Sequence, residues 1–146
     1  MGPSWRFAAG AVVAAALVSC SPTSPAPVST VRTEVAPIQK RVTNIGDRFT
    51  VRWVGGIRGN ERIPGPNAAW LDAVISVDDE ATVRRLRAAL GATPAEKRPD
   101  VSAALVDPGP GKTSAELDAF VAVEPGTVRA FLYPERGVLV VKYFRG

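Results

Sequence analysis

Four carboxylates, Asp72, Asp78, Asp79 and Glu80, lie close together in this chain. Paired carboxylates can hydrolyse a bond by acid–base chemistry when they flank it at roughly 5–10 Å. The same residues also have an ordinary structural use. Asp78, Asp79 and Glu80 stand where a helix would start, and acids suit its positive end. Asp72 falls on the polar face of a strand, with Arg52 as its expected cross-strand partner. A second stretch, Gly109-Pro110-Gly111-Lys112-Thr113, has the outline of a phosphate loop. The full pattern needs a glycine where Val106 stands, and Pro108 and Pro110 lack the amide donors that would cradle a phosphate. It reads instead as a connection leading into a capped helix. The sequence holds no histidine and one cysteine, Cys20. Catalysis by Ser-His-Asp or Cys-His is thereby excluded within this sequence, and zinc lacks its usual ligands.

Cys20 closes an apolar run. Phe7 to Val18 carries no charge, Arg6 precedes it, and the run ends in Leu17-Val18-Ser19-Cys20. A positive start, a short apolar segment and a small residue at the cut make a secretory signal, and the run falls short of the ~20 apolar residues that span a bilayer. The four residues ending in Cys20 resemble the lipobox of bacterial lipoproteins at every position. That resemblance implies a diacylglyceryl group on the Cys20 thiol and cleavage between Ser19 and Cys20. It also implies attachment to the extracytoplasmic face of the cell membrane. Two acyl chains would hold firmly where one is marginal.

Three segments follow: a signal over 1–19, a tether over 20–44, and one small domain over 45–146. The tether is rich in Pro, Ser and Thr, which favour extended chain and offer little to bury. From Ser21 to Pro37 it would reach up to about 50 Å. With Cys20 consumed by lipid, no disulfide can form within the sequence, so the domain must be held by its core. Charge is uneven: Val31 to Arg62 carries seven basic residues against three acids, within a net charge of +4. A basic stretch beside a lipid anchor could lie along anionic headgroups. No nucleic-acid motif accompanies it, so nucleic acid is not an expected partner. No cofactor or metal is expected either.

The elements that must position these residues are legible in outline. Phe49 to Val54 alternates, with Phe49, Val51 and Trp53 on one face. Trp70 to Val77 alternates likewise, with Leu71, Ala73, Ile75 and Val77 opposite Trp70, Asp72, Val74 and Ser76. Asp78 to Leu90 reads as a helix with Val83, Leu86 and Leu90 in one stripe, ended by Gly91. Thr113 to Glu116 reads as a capping box opening a short helix with Leu117, Phe120 and Val121 inward. Val101 to Val106 is either a short strand or a buried loop. Val128–Tyr133 and Val138–Phe144 read as a hairpin turning at Pro134-Glu135-Arg136-Gly137. The expected fold is α+β, an antiparallel sheet of about four strands with one or two helices on one face.

The stretch from Ile63-Pro64-Gly65-Pro66 through Trp70-Leu71-Asp72-Ala73-Val74 is similar to small lipoproteins of high-GC Gram-positive bacteria. This resemblance implies no activity and brings no site residues. The functional expectation is a lipid-anchored, extracytoplasmic, non-catalytic module that binds a protein or cell-envelope component or serves as an accessory to an envelope complex. Trp53 belongs to the core. Trp70, with Arg58 and Arg62 from the Gly/Pro-rich loop between the two tryptophans, is the candidate partner surface. The alternative is a small envelope hydrolase using Asp72 with one of Asp78, Asp79 or Glu80.

Overall fold

The computed structural model describes residues 30–58 and 68–146. Their elements run in the order α1 (Ala36–Gln39), β1 (Phe49–Arg58), β2 (Ala68–Val77), α2 (Glu80–Ala89), β3 (Ala95–Lys97), β4 (Gly111–Thr113), α3 (Ala115–Val121), β5 (Thr127–Tyr133) and β6 (Val138–Arg145). All strands join one sheet in the order β1-β2-β6-β5-β4-β3, and every adjacent pair is antiparallel. The α+β class holds, with six strands where about four were expected. The two additions, β3 and β4, are three residues each. Val101–Val106 forms no strand; Leu105 is buried there and Val106 is exposed.

Period-two alternation sets the inner face. Val51, Trp53, Ile75, Leu132, Leu139 and Val141 meet Leu86 of α2, Leu117 and Val121 of α3, and Ile38 of α1 in one core. Each such burial contributes roughly 1.5–3 kcal/mol. All three helices thus cover the same face of the sheet. Trp53 sits in this core as expected, and its indole N–H donates to the Glu34 carbonyl at 3.0 Å.

Helix α2 begins at its N-cap Asp79, whose carboxylate accepts from the Ala81 amide at 3.3 Å and the Thr82 hydroxyl at 2.7 Å. In α3 the cap is Ser114, accepting from the Leu117 amide at 3.1 Å, one residue later than the expected Thr113. Thr113 is instead the last residue of β4. The β5–β6 hairpin closes as read, with Tyr133 opposite Val138 and Gly137 at φ +63°. A positive φ there is cheap only for glycine.

The tether expected over 20–44 gives way to folded chain by Arg32. Arg32 exchanges both backbone hydrogen bonds with Trp53, at 2.8 and 2.9 Å. Ile38 and Val42 are both buried in the core. Their i,i+4 spacing puts them on one side of a helical turn, and Pro37 is tolerated at the start of α1. The proline that reads as tether is therefore also a helix opener. No helix among the described residues is long and apolar enough to cross a membrane.

Candidate functional site

The outer face of the sheet is built of cross-strand rows. Trp70 of β2 stands opposite Phe144 of β6, which stands opposite Thr127 of β5. One step along, Asp72 lies opposite Lys142, and Lys142 opposite Arg129. The next row is apolar: Val74, Val140 and Phe131. Phe131 and Val140 are buried there, with Val74 and Val101 packed against them.

The segment between β3 and β4 lies over this face, and two charged side chains hold it. Asp72 Oδ2 accepts from the Ser102 amide at 2.9 Å, while its Oδ1 lies 3.5 Å from Lys142 Nζ. Lys142 Nζ also donates to the Asp100 carbonyl. Asp72 is buried, with 11% of its side chain accessible. A buried carboxylate needs such partners, because an unpaired charge there would be strongly penalised. Its salt-bridge partner is thus Lys142, not the expected Arg52, which lies opposite Val74.

Beside this strut the face opens into a cavity of about 500 Å³, lined by both outer rows together with Asp100, Val101, Ser102 and Tyr143. Trp70 forms one wall. Its indole rests on the backbone of Gly56, the residue opposite it on β1. A Cβ at Gly56 would stand 3.2 Å from the indole nitrogen. Phe144 is 45% exposed on the adjoining strand. Arg129 reaches past the sheet edge, 3.9 Å from the Asp118 carboxylate, with its side chain largely in solvent. The result is an aromatic wall next to a charged row, a surface suited to holding a ligand with an apolar body and polar edges.

Asp118 joins α3 to this side of the sheet. Its Oδ1 accepts from the Ala130 amide at 2.8 Å. Burial raises its pKa above the ordinary carboxylate value, against the Ala130 hydrogen bond and Arg129, which act the other way.

The residues singled out by sequence separate. Trp70 lines the cavity. Arg58 is the last residue of β1, opposite Ala68. Arg62 and Cys20 lie outside the described residues. Asp72 and Asp78 are six residues apart along extended chain, about 20 Å, so the carboxylates of the hydrolytic alternative are not brought together. Asp79 is occupied as a helix cap; the Thr82 hydrogen bond is the leading cause of its lowered pKa. Among the described residues, no group of three His, Cys, Asp or Glu side chains could hold a metal ion. Sequence reading missed Phe144, Lys142 and Arg129. The alternation of Val140, Lys142 and Phe144 carried the signal, but the neighbour on the far side of β6 was not readable.

Gly109-Pro110-Gly111-Lys112-Thr113 also has its explanation here. The Tyr133 ring lies against Gly111, and its hydroxyl donates to the Gly109 carbonyl at 2.6 Å. Arg136 stacks over the same ring at 4.4 Å and donates to the Pro108 carbonyl. The glycine serves an aromatic contact. No family model, curated protein or solved structure matches this chain.

Proposed function

We propose that this chain is a lipid-anchored, extracytoplasmic binding module, held to the membrane through Cys20 and binding a cell-envelope partner in the cavity walled by Trp70. The anchor rests on Leu17-Val18-Ser19-Cys20 and the apolar run before it. The observation that supports a binding site is the juxtaposition of Trp70 and Phe144 beside the Asp72–Lys142–Arg129 row. Aromatic side chains with polar neighbours at an open cavity are the usual anchors of recognition. Two of the titratable side chains lining it hold the fold: Asp72 and Lys142 are committed to each other and to the covering segment.

Two measurements test the two halves. Fractionation of cells carrying Cys20→Ala is expected to move the protein out of the membrane pellet; retention there would refute the anchor. A photo-crosslinking residue in place of Thr127, at the cavity rim, is expected to give a defined adduct in intact cells. That adduct should be lost with Trp70→Ala or Phe144→Ala. An adduct pattern indifferent to both substitutions would show that the cavity is not the site.

A further inference from the structure

The Arg32–Trp53 bridge is antiparallel. The chain preceding Arg32 therefore runs beside β1 towards its Gly55–Arg58 end, and Thr30 and Val31 lie on that side. Nine residues lie between Cys20 and Thr30, a reach of about 30 Å when extended. The described chain thus enters from one end of the sheet, where β1 and β6 finish and β2 starts.

That end differs from the other. Ile57 is 70% exposed and Phe144 45% exposed, and both lie on its last residues. By strand alternation they point to opposite faces of the sheet. Arg58 and Arg145 close the same strands, and no acid occurs in 55–58, 68–71 or 143–146. Arg41 stacks on Tyr143 nearby on the helix side; Glu124, ahead of β5, is an acid of the described chain at that corner, and Glu61 lies in 59–67, outside the described residues. The opposite end mixes the acids Asp78, Asp79, Glu80 and Glu135 with arginines.

We propose that this end, with Ile57 and Phe144 as apolar contacts and the exposed Arg145 beside Phe144 as a cation, rests on an anionic bilayer surface. The proposal relies on the Cys20 anchor and adds an orientation to it. A rigid protein docked on one face of the sheet would cover Ile57 or Phe144. A fluid interface accommodates both at once, and exposed apolar groups beside arginine suit the headgroup boundary. The cavity mouth, which shares Phe144, would then open next to the membrane.

The test uses the mature lipidated protein in vesicles of phosphatidylglycerol and phosphatidylcholine. An environment-sensitive dye is attached through Ile57→Cys in one preparation and through Glu135→Cys, at the β5–β6 turn, in another. With Cys20 acylated, the introduced thiol is the one available to the dye. The dye at position 57 is expected to shift to the blue and to be quenched by lipids brominated in their acyl chains. The dye at 135 should report water. Arg145→Glu should reduce the shift at 57, as should high salt. Mass spectrometry of the N-terminal peptide reads acylation independently. Acylated protein with a water-exposed dye at 57, or an equal shift at both positions, overturns the orientation and leaves the anchor standing. Absence of the acyl mass overturns both.

Discussion

Asp118 stands where α3 meets an otherwise open stretch of β5, because β4 pairs with β5 only through Lys112 and Leu132. Its carboxylate takes the Ala130 amide that a neighbouring strand would otherwise accept. This protects a sheet edge with a side chain. Burial is the larger influence on the group and raises its pKa. The native state consequently holds the proton more tightly than the unfolded chain does. Its stabilising contribution is complete below the ordinary carboxylate pKa of about 3.9. It is lost as pH rises through the higher native value, after which stability from this source is level. Asp118→Asn keeps an oxygen for the Ala130 amide and removes the titration. Urea denaturation at a series of pH values should show the stability difference, wild type minus Asp118→Asn, falling as pH rises across that window. A difference that is flat, or that grows with pH, would contradict the assignment.

Among the elements, β4 lies in close contact with a single aromatic ring. A Cβ on Gly111 would lie 2.6 Å from Cζ of the buried Tyr133 ring. The ring has little room to yield, being held by the Gly109 carbonyl and covered by Arg136. Gly111→Ala is therefore expected to cost about 1–3 kcal/mol, the usual range for overpacking, read from the urea midpoint. In a Tyr133→Ala background the same change should cost far less, so the double-mutant cycle is strongly non-additive; additive effects would show that the ring is not what selects glycine. The same contact explains how unevenly the fold could be read. β1, β2, β5 and β6 are long enough for alternation to show, and their inner-face residues were legible. Three residues such as Ala95–Lys97 or Gly111–Thr113 cannot display a period. They show as strands only in the structure, where β3 pairs with β4, and β4 with β5 beside Tyr133. The helix caps were legible to within a residue, since Ser, Thr and Asp all suit the position and packing decides among them.

At the scale of the whole molecule, one sheet supports two unequal layers. The helical layer rests on a continuous apolar core, whereas the covering segment on the outer face has a smaller apolar contact supplemented by polar ties. The strand order that creates the outer rows was hidden from sequence: β6 pairs with its hairpin partner and also with β2, which lies far from it along the chain. Asp72 with Lys142 and Trp70 with Phe144 become neighbours only through that second pairing. Unequal layers should open unequally, since segments held by few buried contacts exchange through local rather than global opening. Lys142→Met keeps much of the apolar stem, removes the cation that faces Asp72, and frees the Asp100 carbonyl. A hydrogen bond to a charged group contributes about 1.5–3 kcal/mol, which corresponds to roughly 10–100-fold in a local opening equilibrium. Hydrogen exchange followed by mass spectrometry should show amides in 98–105 exchanging faster by about that factor. Peptides from α2, α3 and the inner strands should keep their protection. Equal acceleration throughout would mean that both layers unfold as one unit. Unchanged rates in 98–105 would mean that the apolar contact alone holds the cover. The expected selective release would show the Asp72–Lys142 pair as the fastening of the cavity's covering side, separable from the stability of the domain beneath it.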